Sequence, residues 1–300
     1  MDSRILIPLL LVLAPLLLLG VVARLARWRT RGPNRRSPLT KDLLRGPAHS
    51  LRVQLDDLRW DFASYLAAAV AAPLLFYALY LQNELAGRAL ASSMIVIYVG
   101  LAAALALMVV VKTVRTIQVG YRLQLGIEAE IATAEELNRL MQLGFWVFHD
   151  CPGDKQFNID HVVVGPTGVF AVETKGRAKR SGRGVSDGHI VRYDGQVLRF
   201  PGWSETAVLK QAHRNAKWLQ RWLTSAVGEF IAVRPIVVLP GWYVDSANPG
   251  TIPVLNEKQA ANYCGRPGNS QLSGKQIRQI AHQLDQRCRD IEPQALASPK

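Results

Sequence analysis

Asp160, Glu173 and Lys175 are the residues of this 300-residue chain whose types and spacing best suit chemistry. Asp160 sits in the apolar stretch Asn158–Val164, and Glu173 and Lys175 close the apolar stretch Val169–Lys175. Between them, Gly165-Pro-Thr-Gly168 puts Pro and Gly where a turn needs them, so the two stretches predict a β-hairpin. With the turn centred between Pro166 and Thr167, Asp160 falls directly opposite Glu173, with Cβ atoms about 5 Å apart. Lys175, two residues on, points to the same face. Two carboxylates so placed repel, and a divalent cation relieves them. Oxygen ligands select Mg²⁺ or Mn²⁺. A metal held by Asp160 and Glu173 could polarise a phosphodiester and activate water, with Lys175 offsetting charge on the phosphate. The same residues could equally form a structural ion pair at a strand end, and spacing alone leaves the two readings even.

The elements that must position this trio follow from periodicity. Apolar Ile127, Ile131, Ala134, Leu137, Leu140 and Met141 recur at helical spacing over Leu125–Leu143, and Gly144 stops the helix. Phe145–His149 reads as a strand and Cys151–Gln156 as a loop. Gly176–Arg199, rich in glycine and carrying Arg177, Lys179, Arg180, Arg183 and Arg192, reads as a basic loop beside the site. It could track a phosphate backbone or simply be a solvated surface loop. Trp218 and Trp222 share a helix with Leu219 and Leu223 and read as packing residues. Phe230–Leu239 is a strand and Ser273–Ile291 a closing helix. His149, His161, His189, His213 and His282 show no metal-ligand spacing, and His161 points away from the Asp160 face. Cys151, Cys264 and Cys288 lack C-x-x-C spacing and read as buried apolar residues.

Several of these elements together resemble the nuclease-related domain (NERD) family, within the restriction-endonuclease-like group marked by a D…(D/E)-x-K pattern. The resemblance covers about 126–223. Gly126-Ile-Glu-Ala-Glu130 followed by Leu137 and Leu140 is similar to the family's opening helix. Asn158-Ile-Asp-His161 is similar to its Asp strand, Gly168–Lys175 to its E-x-K strand, and Leu209–Ala216 to a later helix with Gln211. Ala129 departs from the Gly common before the family's Glu. The resemblance implies an α/β fold with a restriction-endonuclease-like mixed sheet flanked by helices. It implies that Asp160 and Glu173 ligate Mg²⁺ (or Mn²⁺), that Lys175 is the catalytic lysine, and that Glu130 and Gln211 complete the site. It points to nucleic acid as partner, DNA ahead of RNA, with Arg177, Lys179, Arg180 and Arg183 as candidate contacts.

The rest of the chain points to a membrane. The hydrophobic residues concentrate in three runs, about 5–23, 62–81 and 90–111, each near the length that crosses a bilayer. These make residues 1–117 an α-helical membrane region of three spans with a connector, and 118–300 a nuclease-related domain. Positive charge follows the first run, at Arg24, Arg27 and Arg29, which fits an uncleaved anchor better than a signal peptide. Lys112, Arg115 and Arg122 follow the third. Both flanks predict a multi-pass cell-membrane protein with its N-terminus outside and its C-terminal domain cytoplasmic. No charged residue lies within the three runs, which disfavours a transporter or channel. The net charge of +13 suits an anionic polymer or membrane surface. The sequence therefore predicts a membrane-anchored, metal-dependent nuclease. The alternative is a non-catalytic scaffold binding nucleic acid or protein, and oligomeric state is not readable.

Overall fold

The computed structural model describes residues 41–85, 87, 92–154, 157–179, 188–246, 248, 250–266 and 272–291. The first apolar run, Arg180 and Arg183 lie outside the described residues. Contacts divide the chain into two compact units: one holds Leu55–Tyr121, and the other holds Lys41–Gln54 and Arg122–Pro293.

The first unit is built from two long helices, α1 (His49–Leu85) and α2 (Ser92–Asn138), each shared in part with the second unit. No proline interrupts Ser92–Asn138, so the third apolar run and the helix expected over Leu125–Leu143 form one element rather than two. Within this unit the Lys112 ammonium lies 5.5 Å from the Tyr65 ring centre. Leu66, Tyr77, Val96, Ile97, Leu101 and Leu107 are exposed. Of the expected spans, the first is not described. Among the described residues one helix, Val99–Leu143, is long and apolar enough to cross a membrane, on length and composition.

The second unit is a mixed five-stranded sheet covered on both faces. A 3₁₀ turn, Arg139–Leu143, extends α2 and ends at Gly144, whose φ of 82° suits glycine. The chain then forms β2 (Trp146–Pro152), β3 (Asn158–Gly165) and β4 (Gly168–Thr174), an antiparallel meander. The predicted hairpin is present, with Gly165 opposite Gly168 and no slip between His161 and Gly168. β2 runs further than expected, through Cys151 and Pro152, because both pair with β3. After β4 come three short strands: β5 (Ile190–Tyr193), β6 (Leu198–Phe200) and β7 (Trp203–Glu205). α3 (Ala207–Val227) then crosses back to β8 (Val233–Val238), which pairs parallel to β4. β9 (Tyr243–Ser246) joins the small sheet β7-β6-β5-β9, and β10 (Val254–Leu255) extends the large one to β10-β8-β4-β3-β2. α4 (Glu257–Gly265), α5 (Gly274–Cys288) and β11 (Arg289–Ile291) close the unit.

The strand alternation sorts the core. Val162, Val164, Val169 and Ala171 pack under Ala216, Leu219 and Leu223 of α3 and Ile280 and Leu284 of α5. Val163, Phe170 and Val172 pack on the other face against Leu137, Leu140 and Ala260. The segment expected to be one basic loop, Gly176–Arg199, instead contains β5 and most of β6. Its buried Val191, Tyr193 and Leu198 alternate with exposed Arg192 and Arg199, a period-two pattern that the charges obscured.

Residues 41–54 were expected to be a connector, yet they belong to the sheet-bearing unit. β1 (Leu43–Leu44) pairs antiparallel with β11. Arg45 forks onto Asp290 with two 2.7 Å bonds and reaches Asp150 at 3.1 Å. Removing one partner of a largely buried ion pair strands the other. Arg45→Ala is therefore expected to lower stability by about 3 kcal/mol, read as an earlier urea transition of the full chain in detergent. An unchanged transition would show that this segment is not structurally integrated.

Candidate active site

The end of the central hairpin gathers acids from three elements. Continued by one residue, the β3–β4 register puts Asp160 opposite Glu173, as the hairpin predicted. Asp160 Oδ2 accepts a 2.7 Å hydrogen bond from the Thr174 N–H. Glu173 is almost fully buried, with 1% of its surface exposed. Its Oε1 contacts Lys175 Nζ at 2.6 Å and its Oε2 accepts from Asn215 Nδ2 at 2.8 Å. The Lys175 N–H bonds the Val238 carbonyl, so the lysine is held by the parallel ladder to β8.

Glu130 arrives from α2. A Cβ on Gly176 would lie 2.5 Å from the Leu125 carbonyl and 3.1 Å from the Ala129 Cβ. That close approach needs glycine at 176 and a small residue at 129, and it brings α2 against the end of β4. Glu130 is buried; the Ala48 N–H donates to its carboxylate, and its Oε2 has no partner among the described residues.

The three carboxyls are electrostatically coupled. Burial, with Asp150 and Glu173 nearby, pushes the Glu130 carboxyl up to about 7. Burial, then Glu173 and Glu130, holds Asp160 well above the usual carboxylate range. Burial also raises Glu173, although Lys175 and Asn215 oppose it. Burial alone would lower the Lys175 ammonium, but Glu173 and Asp160 outweigh it and the net shift is upward. The outcome is a buried site short of positive charge, with one ammonium facing three acids.

Of the remaining sequence candidates, Gln211 lies half-buried on α3 but makes no hydrogen bond to the trio. Asn215, one turn further along, makes that contact instead. Arg177 is engaged by Glu205 through bonds of 2.7 and 3.0 Å, and Lys179 lies 5.9 Å from the Trp242 ring centre. Asp150 was missed by sequence reasoning. The pairs His149–His161 and Cys151–Ile159 bracket it opposite Asp160. Its φ of 48° accompanies a turn of its carboxylate toward Ser50, Arg45 and Asn158. No local sequence signal marks a single aspartate whose partners lie so far upstream. His149 and His161 meet through their Nδ1 atoms at 2.9 Å, buried on the opposite face, as packing residues. Among the described residues no three His, Cys, Asp or Glu side chains form a ready ligand group for a metal. Asp160 and Glu173 could offer two carboxylates, the number Mg²⁺ commonly takes from protein, with water and phosphate filling the rest.

The raised Glu130 carboxyl has a stability consequence. In the unfolded chain it loses its proton near its ordinary value of 4.5, but in the fold it keeps it up to about 7. Its contribution to stability is thus fully present below pH 4.5 and is lost as pH rises to about 7. Glu130→Gln is expected to remove this part of the pH dependence of the melting temperature, measured without divalent metal. Identical pH slopes for the two proteins between pH 4.5 and 7 would contradict the assignment.

No curated protein and no solved structure matches the chain significantly. A family match does exist, and it spans the stretch from α2 through β8 that contributes Glu130, Asp160, Glu173, Lys175 and Asn215. Residues 125–240 of this chain match the nuclease-related domain (NERD) family.

Proposed function

We propose that the protein is a membrane-anchored, divalent-metal-dependent nuclease that hydrolyses phosphodiester bonds of cytoplasmic nucleic acid, DNA ahead of RNA. The observation that carries this reading is the convergence of Glu130, Asp160 and Glu173 on Lys175. Asp160 and Glu173 would hold Mg²⁺ or Mn²⁺. The unpartnered, buried Glu130 Oε2 fits an additional hydrated contact to such a cation. When bound, the metal would polarise the phosphodiester and lower the pKa of water.

The chain's own residues do the remainder. The β8 ladder holds the Lys175 backbone and the contact with Glu173 Oε1 positions its ammonium, from which it can offset charge growing on the phosphate. Asn215 fixes one Glu173 oxygen and leaves the other facing Lys175. The Thr174 N–H orients Asp160. Glu130, with its carboxyl near 7, can exchange a proton with a water at neutral pH.

Exposed apolar side chains on α1 and α2 support membrane anchoring, since large apolar surfaces on a water-soluble helix pair are unfavourable. In this reading the three apolar runs at about 5–23, 62–81 and 90–111 form the anchor, and the basic charges that follow the first and third runs support a cytoplasmic C-terminal domain. One observation favours a second reading. The short Lys175–Glu173 contact is what a structural ion pair would show, as in a scaffold that keeps the fold without cutting.

Cleavage distinguishes the two. The full chain in neutral detergent is expected to cut DNA with Mg²⁺ and to stop when the metal is chelated. Asp160→Asn and Lys175→Met are each expected to reduce cleavage on the order of a hundredfold or more while leaving a folded protein by circular dichroism. Absence of metal-stimulated cleavage of both DNA and RNA by the unmodified chain would support the scaffold instead.

A further inference from the structure

The outward face of α3 carries Lys210, Arg214, Lys217 and Arg221, and its 21 residues include no Asp or Glu. The four cations are spaced by four, three and four residues, which stacks them as one ridge. All four are exposed, while Leu209, Ala212, Ala216 and Leu219 bury the opposite face. The ridge is about 16 Å long at 1.5 Å per residue.

Like charges at these spacings destabilise a helix, and nothing in α3 compensates for them. Some arginines elsewhere are paired: Arg59 with Asp56, Arg199 with Asp194 and Arg289 with Asp285. Lys210, Lys217 and Arg221 make no ion pair with a described residue. Arg214 lies over the Phe157 ring and also helps hold down the Glu173 carboxyl. The neighbouring Asn215 is bonded to Glu173.

We infer that the Lys210–Arg214–Lys217–Arg221 ridge is the track on which a nucleic-acid phosphodiester backbone lies as it enters the site. This rests on the nuclease reading and deepens it. The loop arginine first considered for that role, Arg177, is neutralised by Glu205, whereas the ridge offers cations in a row. Phosphate contacts carry no sequence information, so binding along the ridge is expected to be insensitive to sequence. Nucleic acid is favoured over anionic lipid because the helix that carries the ridge also holds Glu173, so a strand on it lies alongside the acids.

The test measures binding of a fluorescent duplex of about 20 base pairs by the full chain in neutral detergent, without divalent cation, between about 50 and 200 mM salt. Replacing Lys210, Lys217 and Arg221 together by Gln keeps helix propensity and removes three charges. The slope of log affinity against log salt is expected to fall in magnitude by about 2.7, at about 0.9 per phosphate contact. Lys210→Arg with Lys217→Arg should retain the original slope. An unchanged slope in the triple variant of a chain that cuts DNA overturns the ridge and leaves the nuclease reading standing. Loss of binding to phosphatidylserine vesicles with unchanged nucleic-acid binding would also overturn it, assigning the ridge to lipid. If the unmodified chain neither binds nor cuts nucleic acid, both readings fall.

Discussion

Three carboxyls, Glu130, Asp160 and Glu173, gather at a largely buried strand end, with the Lys175 ammonium against Glu173. Each raises the free energy of ionising another, so the site favours bound protons or a bound cation. Much of the second unit serves to maintain this arrangement. The antiparallel register sets Asp160 against Glu173, and the parallel ladder to β8 continues past the end of β4 to hold Lys175. Glycine at 176 lets α2 approach closely enough to add Glu130. Such an arrangement costs stability, and the packed faces of the sheet must supply it.

The site also draws on chain far outside the nuclease-related stretch. Asp150 accepts hydrogen bonds from both the N–H and the hydroxyl of Ser50, which anchors the start of α1, and the Ala48 N–H in the same turn donates to Glu130. The first turn of α1 is therefore part of the environment of an acid in the site, although α1 itself continues into the other unit. A fragment that begins at the nuclease-related domain would lack β1, Arg45 and Ala48.

What could be read from the sequence was local or strictly periodic. The Gly165–Gly168 turn has one sensible centre, so the facing of Asp160 and Glu173 followed from counting. The faces of the strands and the stop at Gly144 followed in the same way. Gln211 and Asn215 share a flank of one helix, and periodicity cannot say which of them reaches Glu173. The pairing of β1 with β11 joins residues nearly 250 positions apart and leaves no local signal. The small sheet was hidden because arginines on the exposed side of β5 and β6 made an alternating pattern look like a charged loop.

Metal binding with its linked proton release reports on the three carboxyls together. Mg²⁺ or Mn²⁺ titrated into the full chain is expected to bind and to release protons near neutral pH, because carboxyls held above their ordinary range must ionise to accept it. Calorimetry in buffers of different ionisation enthalpy counts those protons, and Glu130→Gln should reduce the number. Saturable binding with no proton release, or no binding at all, would contradict the picture of a charge-starved site awaiting a cation.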